Sequence, residues 1–507
     1  MNSSSPTGPT DSASQLLTVL LGRSAPVRIH VPQPDEQVVV RARAAVSSSR
    51  HPAPRSVGEF SRYECVGDES SIKPRVQRAC LFRRVCLDTR SGEFTYHRRP
   101  DLTPAPVLFD RRYGHLFHFR HEAEAGQGER KSGAEDFLGL NKHVRYKDHV
   151  RWSPLVVERP LPNGDEAVHL RTLALLSAPF VPTNLGHVVW EEAFPLLLAM
   201  AQLGAYESRA IVLRTRGCNE SAAGVPSSAS EALLCTKFVD GFLRPLQARR
   251  PAAGSRSAGL WTLQALRARH FPKPVCFQKM IVGGFFDMFN GAHHAGKEPF
   301  IQERLFRHRV LRFHGISPTA SPPASHLLLL VRKQGRRGIF NFDQVKRHIR
   351  NGCAGQCQGI KRVEVASFHT MTVRAQLALV SRSTLAISPP GGVSMILPFL
   401  PEGAHVILLN YMIAKTVDGV VHAEGTRSSR QVHQECLGCS WTMEAELWRH
   451  VRHVHKLFYQ VWAAEDFANG RPGRDSAVVV KLPRLSYLIR VALDAMDVEP
   501  SSDTSTV

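Results

Sequence analysis

The residues best suited to chemistry begin with His187 and Glu191, which stand four positions apart in the segment NLGHVVWEEAFP (184–195). The apolar pattern predicts a helix over about 187–203, and residues four apart lie on one face of a helix. A carboxylate on that face can orient an imidazole and raise its basicity, so the pair could accept a proton from a hydroxyl group. The alternative is a pair that only packs at an interface. Asn184 stands where the N-cap of this helix is expected.

Arg332 and Arg337 form a second candidate group, directly after the apolar run LLLLV of residues 327–331. Such a run fits a buried parallel strand, and α/β proteins bind ligands outside the carboxyl ends of their strands. Guanidinium groups match phosphate oxygens bidentately, so this pair could balance the negative charge of a departing diphosphate. A solvated charged loop is the alternative.

Gly391 and Gly392 form a third group, in a turn between a predicted strand at 385–388 and a predicted helix to about residue 400. Without a Cβ atom, they allow backbone N–H groups to approach a phosphate at the positive end of the helix dipole. Ser388 and Ser394 could add hydroxyl contacts. A plain tight βα turn explains the glycines equally well.

Cys436 and Cys439, followed by His450, His453 and His455, are a candidate zinc site by residue type. A Cys₂His₂ finger needs about twelve residues between its second Cys and first His, and the gap to His450 is shorter. Loop thiols or a local disulfide, with histidines on an amphipathic helix, fit better. No metal site is predicted.

The elements that must position these residues alternate between strands and helices, which indicates parallel sheets with crossover helices. A Ser/Pro-rich linker at 316–324 separates two such series. The first has predicted strands at 173–180 and 210–213. The second has predicted strands at 327–331, 363–365, 385–388 and 405–409, with helices at 342–350 and 371–381.

Four regions follow from this pattern: a disordered extension over 1–55, domains over 56–315 and 325–420, and a helical segment over 421–507. Two helices are predicted in the last region, at 443–466 and 482–497. In the first domain, alternating residues on either side of Ser91-Gly92 predict a hairpin over 80–97.

Composition excludes a small or disordered protein, because the chain has 507 residues, of which 43% are hydrophobic and 21% charged. Its net charge of +21 raises the possibility of nucleic-acid binding. However, the basic residues are scattered and no block of five like charges occurs, which fits local anion sites better. No apolar run is long enough to span a bilayer, so the chain is expected to be soluble. Cys80, Cys86, Cys353 and Cys357 are either disulfide members in a secretory lumen or separate buried thiols.

Taken in order, three stretches resemble glycosyltransferase family 61. They are the segment 184–195, the segment RKQGRRGIFN of 332–341, and the region from Ser367 through Gln376 to Leu409. The 80–97 segment also resembles the one that precedes the domain in eukaryotic members. Among those members, the chain is similar to the protein O-mannose N-acetylglucosaminyltransferases and the plant xylosyltransferases. The resemblance covers roughly residues 75–410.

The resemblance implies an α/β protein of GT-B type, with two Rossmann-like domains, a cleft between them and C-terminal helices. It implies inverting transfer of N-acetylglucosamine or a pentose from a UDP-sugar to a hydroxyl of a glycan or glycoprotein, in the Golgi or endoplasmic reticulum lumen. Residues 56–315 would be the acceptor side and 325–420 the nucleotide-sugar side. No metal cofactor, nucleic acid or membrane span is expected, and the chain has no Asp-x-Asp motif.

The roles that follow fall into three groups. His187 and Glu191 would be catalytic. The donor would contact Arg332, Arg337, Gly391, Gly392, Ser388 and Gln376, and the acceptor side would include Asn184, Asp287 and His293. The family usually has His-Gly-Ala where this chain has Pro390-Gly391-Gly392. That departure leaves a catalytically silent nucleotide-sugar or glycan-binding relative as the alternative, ahead of a basic nucleic-acid-binding protein.

Overall fold

The computed structural model describes residues 60–67, 78–99, 107–110, 115–118, 120–121, 138–139, 151–179, 181–206, 210–220, 228–247, 260–283, 300–318, 325–409, 416–417, 420–421, 447–448, 451–459, 464–470 and 475–497. The extension predicted over residues 1–55 lies outside this set. The candidate site residues Asp287 and His293 also lie outside it. The same is true of three residues of the candidate zinc site, Cys436, Cys439 and His450.

The described residues form a mixed α/β structure whose strands are numbered in chain order. They are β1 Arg62–Gly67, β2 Arg78–Arg83, β3 Val85–Leu87, β4 Phe94–His97, β5 Val107–Asp110, β6 His115–His118, β7 Arg120–His121, β8 Leu138–Gly139, β9 Arg151–Trp152, β10 Leu155–Val157, β11 Val168–Leu170, β12 Leu173–Ser177, β13 Ala210–Arg214, β14 Leu260–Thr262, β15 Val275–Phe277, β16 Met280–Gly283, β17 His326–Val331, β18 Ile360–Ala366, β19 Leu385–Ser388, β20 His405–Leu409, β21 Thr416–Val417, β22 Val420–Val421 and β23 His455–Tyr459.

The helices are numbered in the same way. The α-helices are α1 Phe194–Gln202, α2 Ala229–Phe242, α3 Leu263–His270, α4 Phe300–Phe313, α5 Phe342–Arg350, α6 Val373–Val380 and α7 Leu482–Asp497. A π-helical segment, His187–Ala193, leads directly into α1, and the two together are the His187 helix. The 3₁₀ helices are Arg244–Leu246, Gly352–Gly355, Gly392–Phe399, Ala464–Asp466 and Ala468–Gly470.

Three larger sheets position the candidate site. Sheet 1 has the order β1-β2-β16-β12-β13-β14, sheet 2 has β11-β15-β3-β4-β10-β7, and sheet 3 has β18-β17-β19-β20-β23. All strand pairs in sheet 3 are parallel. In sheet 1 the pairs among β16, β12, β13 and β14 are parallel, while β1 and β2 join antiparallel. Three two-stranded pairs complete the set: β5-β6, β8-β9 and β21-β22.

The three central strands of sheet 3 consist mostly of apolar residues. Every residue of β17, β19 and β20 is buried, as expected for central parallel strands that helices cover on both faces. Helix α5 contributes the buried side chains of Phe342, Val345 and Ile349. The carboxyl ends of β17 and β19 are therefore held side by side by a well-packed sheet.

One apolar cluster connects the His187 helix to the part of the chain that carries sheet 3. Trp190 packs with Phe306 and with Phe399, at ring-centroid distances of 5.8 and 6.0 Å. The Trp190 indole also donates a hydrogen bond of 2.8 Å to the carbonyl of Met395. Fully burying side chains of this size stabilises a fold by roughly 2–3 kcal/mol each, so this contact orients the helix firmly.

Most of the local elements predicted from sequence are confirmed. The hairpin over 80–97 is present as the antiparallel pair β3-β4, and α5, β19 and β20 have their predicted bounds. The helix predicted over 443–466 is wrong at His455–Tyr459, which forms β23 and pairs in parallel with β20. Pairing with a preformed sheet edge overrides the local pattern there, because strand formation depends on the partner. The division into two Rossmann-like domains stays a prediction.

Four disulfides join the cysteines of the described residues. They are Cys65–Cys80, Cys86–Cys276, Cys218–Cys235 and Cys353–Cys357. Of the two alternatives for Cys80, Cys86, Cys353 and Cys357, disulfide membership is therefore confirmed. Cys86–Cys276 joins strands β3 and β15 across 190 positions of sequence.

No helix among the described residues is both long enough and apolar enough to cross a membrane.

Candidate functional site

His187 and Glu191 interact directly at the start of the His187 helix. His187 Nδ1 lies 2.6 Å from Glu191 Oε2, so the imidazole N–H donates a short hydrogen bond to the carboxylate. The Glu191 side chain is 3% exposed and the His187 side chain 22%. The carboxylate is thus held inside the protein while the imidazole reaches the surface. Short π-helical segments within α-helices are rare and occur frequently at functional sites.

The neighbouring Glu192 is committed to a different, structural interaction. Its two carboxylate oxygens accept hydrogen bonds of 2.8 and 3.1 Å from the Arg214 guanidinium, and Ser177 Oγ donates to it as well. All three side chains are buried. The two adjacent acids therefore have separate environments, and only Glu191 lies beside an imidazole.

Asn184 touches the glycine turn, defined as residues 389–392. Leu185 and Gly186 are already helical. Asn184 Oδ1 accepts the Gly186 N–H at 2.9 Å and the Asn184 carbonyl accepts the Val188 N–H, so Asn184 is the N-cap of this helical turn. A Cβ atom on Gly392 would lie 3.1 Å from that same oxygen, so only glycine fits there without displacement. The start of the His187 helix and the glycine turn are consequently in direct contact.

Lys333 lies against the same turn from the other side. Its ammonium group donates a hydrogen bond to the carbonyl of Pro390. Gly391 has a φ of 109°, and a Cβ atom there would lie 2.6 Å from Lys333 Nζ. Glycine is required here by the backbone, since this φ is strained for other residues, whereas the flexible Lys333 side chain could move aside. Sequence reasoning missed Lys333, although it directly follows Arg332 at the end of a buried strand.

The two predicted phosphate-binding arginines occupy different surroundings. Arg332 is exposed at the carboxyl end of β17, with its guanidinium 5.1 Å from the centroid of the Phe342 ring. Arg337 Nε donates a 2.8 Å hydrogen bond to Asp475 Oδ1, and its backbone N–H donates to the Asp475 carbonyl. That hydrogen bond holds the pKa of Asp475 below its usual range. The role of each arginine in donor binding stays a prediction.

Three further donor-side residues make local hydrogen bonds. Ser388 Oγ donates to the carbonyl of Pro389, and Ser394 Oγ to the carbonyl of Gly391, at 2.9 and 2.8 Å. The buried Gln376 amide donates to the carbonyls of Phe368 and Met371. Both serines thus brace the glycine turn, while Gln376 braces the loop that follows β18.

Two histidines of the candidate zinc site, His453 and His455, belong to the described residues, and each has a different contact. His453 Nε2 lies 3.0 Å from the carbonyl of Pro398, and the His455 ring stacks on that of His405. Within the described ranges, no group of three or more His, Cys, Asp or Glu side chains is arranged to hold a metal ion.

The structure therefore brings together residues from four segments: the start of the His187 helix, the end of β17, the glycine turn and the first turn of the Gly392–Phe399 helix. An imidazole with a buried carboxylate partner stands on one side. A lysine ammonium and a turn that only glycine can form stand on the other. Such a junction can accept a proton from one molecule and stabilise negative charge on a second.

The chain matches no protein-family model and no curated protein. Among solved structures it is similar to the bacterial iron-containing dodecameric glycosyltransferase TibC from enterotoxigenic E. coli H10407, at 10% identity and a TM-score of 0.23. A TibC heptosyltransferase structure in complex with ADP-D-beta-D-heptose has 10% identity and a TM-score of 0.22. Both alignments cover 69% of this chain and 81% of the other. Likeness at such TM-scores bears on neither the fold nor the function of this chain.

Proposed function

We propose that this protein is an inverting glycosyltransferase of GT-B type that transfers a sugar from a UDP-sugar to a hydroxyl acceptor. The observation that carries the proposal is the direct contact between the start of the His187 helix and the glycine turn. The proposed base and the proposed diphosphate site belong to these two segments. The same two segments carry the resemblance to glycosyltransferase family 61, although they are about 200 positions apart.

On the donor side, negative charge develops on the departing diphosphate, and the enzyme must supply positive partners for it. Lys333 supplies a full charge at the glycine turn. Backbone N–H groups at the start of the Gly392–Phe399 helix add partial positive charge, because the helix dipole points that way. Arg332 follows the same strand end and is the proposed second cation.

On the acceptor side, a sugar hydroxyl is a poor nucleophile at neutral pH and needs a base within hydrogen-bond reach. His187 is partly exposed and Glu191 is buried behind it, so the imidazole is the proposed proton acceptor and the carboxylate its orienting partner. The carboxylate would also stabilise the imidazolium that forms. Asn184, which caps this helix, is the proposed contact between acceptor and donor sides.

The proposed donor sugar is N-acetylglucosamine or a pentose, and the proposed acceptor is a glycan or glycoprotein. Both come from the family resemblance. The four disulfides support a location in an oxidising compartment such as the lumen of the endoplasmic reticulum or Golgi, because disulfides persist there and are rare in the cytosol.

Lys333→Ala is expected to weaken UDP binding by about ten- to a hundredfold, since a hydrogen bond to a charged group contributes roughly 1.5–3 kcal/mol. Calorimetric titration with UDP measures this directly, and circular dichroism checks folding. Arg336→Ala is the matched control: it removes one positive charge from the same loop, where Arg336 is 71% exposed and pairs with Asp475. Unchanged UDP affinity in folded Lys333→Ala, or equal losses in both variants, would contradict the donor site.

UDP-sugars are expected to raise thermal stability, because a ligand at one hundred times its Kd adds about 2.7 kcal/mol to the free energy of unfolding. A screen of UDP-sugars by melting temperature identifies the donor. Stabilisation without any hydrolysis or transfer of the bound UDP-sugar would favour the catalytically silent relative.

Transfer is expected to continue in EDTA. The proposed site uses Lys333 and a helix N-terminus where a metal-dependent enzyme uses a cation on an Asp-x-Asp motif, and the chain has no such motif. The initial rate with and without EDTA is the measurement. Loss of transfer in EDTA that manganese restores would contradict the metal-independent mechanism. It would not contradict the assignment of His187 as the base.

A further inference from the structure

A basic pocket lies where the chain crosses between sheet 1 and sheet 2 at two neighbouring places. Arg84 separates β3 from β2, and Gln278 with Lys279 separates β15 from β16. The backbone N–H of Arg84 donates to the Gln278 carbonyl at 3.3 Å, so the two junctions face each other. The pocket has a volume of about 230 Å³ and is lined by Phe60, Arg62, Arg83, Arg84, Gln278 and Lys279.

The lining is strongly positive. Four of its six residues are Arg or Lys, and none is acidic. The Arg83 guanidinium donates a 2.9 Å hydrogen bond to Glu64 outside the lining, but both side chains are about half exposed. Exposed pairs of this kind contribute only about 0–1 kcal/mol. Cations gathered in one concavity focus a positive potential that attracts anions.

The backbone around the pocket is fixed in place. Ser61 Oγ donates to the carbonyl of Arg84 and accepts the backbone N–H of His97 at 2.8 Å. The disulfide Cys86–Cys276 ties β3 to β15 two residues from each junction, and Cys65–Cys80 ties β1 to β2. A ligand therefore has to order the side chains of the pocket but not its backbone, which limits the entropy lost on binding.

We propose that this pocket binds a tetrahedral oxyanion, either a phosphate or sulfate ester on a sugar or the free ion. Guanidinium forks pair bidentately with the oxygens of such groups, and the Gln278 amide can donate to a further oxygen. The volume is far above the roughly 15 Å³ that one water molecule requires, so the anion fits together with part of a sugar.

The pocket is separate from the candidate transfer site. The Lys279 carbonyl accepts the N–H of Ala174 near the start of β12. The His187 helix instead follows the end of that strand at Ser177. Ser177 Oγ, at the end of β12, donates to Glu192 of the His187 helix. A strand of five residues is about 16 Å long, so the two sites lie at opposite ends of β12. The pocket therefore does not depend on the proposed function.

The test uses the full chain and four probes: inorganic phosphate, inorganic sulfate, glucose 6-phosphate and N-acetylglucosamine 6-sulfate. Each is titrated at constant ionic strength by NMR or calorimetry. The variant Arg62→Gln/Lys279→Gln removes two charges from the pocket. The control Arg350→Gln/Lys361→Gln removes two charges from another basic concavity, so it corrects for the high net charge.

At least one probe is expected to bind the unmodified chain. Its Kd is expected to rise at least tenfold in the pocket variant and less than twofold in the control. Tighter binding of the esters than of the inorganic ions identifies a glycan source, and equal binding identifies the free ion. No binding of any probe, or equal losses in both variants, overturns the proposal. If the double variant does not fold, Arg62→Gln alone should raise Kd at least threefold, and an unchanged Kd overturns it.

Discussion

Glu191→Gln is expected to lower kcat by about 10²–10⁴, the range that general-base catalysis contributes, with UDP affinity changed less than about twofold. The amide keeps the shape of the side chain but loses the charge that orients the His187 imidazole and stabilises its protonated form. The proposed donor site is built on the end of β17 and on the glycine turn, so UDP binding is not expected to depend on that charge.

His187→Ala is expected to lose at least as much turnover, because it removes the proposed proton acceptor itself. The effects of the two single variants should not add in the double variant, since the imidazole and the carboxylate act as one unit. The measurement is steady-state kcat and KM for the best UDP-sugar, together with UDP affinity by titration.

The adjacent Glu192 provides a matched control within the same helical turn. Glu192→Gln breaks a buried ion pair with Arg214, which costs about 3–5 kcal/mol of stability. Its folded fraction is expected to keep kcat, because Glu192 does not face His187. If Glu191→Gln and His187→Ala both retain the kcat of the unmodified chain, the His187 helix only packs. The base must then be sought elsewhere, with Asp287 and His293 as the next candidates.

Acid is expected to destabilise the protein through histidines at the amino end of sheet 3. His405 opens β20 and is 4% exposed, and its ring stacks on that of His455 at the start of β23 with 4.6 Å between centroids. Burial, with a smaller contribution from His455, lowers the pKa of His405 to about 3. Burial and the charge of Lys456 also lower the pKa of His455.

The direction of this pH dependence follows from the protonation of His405 in the folded and unfolded chains. Between pH 6.5 and about 3, the unfolded chain holds a proton on residue 405 and the folded chain does not. The contribution of His405 to stability is therefore fully present above pH 6.5 and declines as the pH falls. At pH 4.5 the loss amounts to about 3 kcal/mol, from two pH units at 1.36 kcal/mol each. His326, which hydrogen-bonds Asp497 at 3.1 Å, also lowers the pKa of His405.

His405→Phe is expected to flatten this part of the pH dependence, because Phe keeps an aromatic ring beside His455 and does not titrate. Urea unfolding at pH 7.5 and pH 4.5 gives the change in the free energy of unfolding for each variant. His369→Gln is the control, since His369 is exposed on a loop. A decline between the two pH values that is as steep in His405→Phe as in the unmodified chain would rule out His405 as a source of acid sensitivity.

Local sequence determined much of the fold around the site. The bounds of β19 and β20 can be predicted from short apolar runs, and those of α5 from helical spacing of apolar residues. The shared face of His187 and Glu191 is readable for the same reason, since helical periodicity alone puts residues four apart side by side. The resemblance that runs through residues 184–195 and 332–341 depends on residue order, which is also local information.

Tertiary structure alone decided which segments meet. The Trp190 indole donates to the Met395 carbonyl, which is 205 positions away in sequence. Arg337 donates to Asp475, which is 138 positions away. Lys333 lies at Gly391 only because β17 and β19 are neighbours in sheet 3, and β23 is a strand only because the edge of β20 is open to it. A residue pattern specifies which face of an element is apolar. The partner that covers that face is selected by packing of the whole chain, because many apolar faces are chemically interchangeable and differ only in how well they fit.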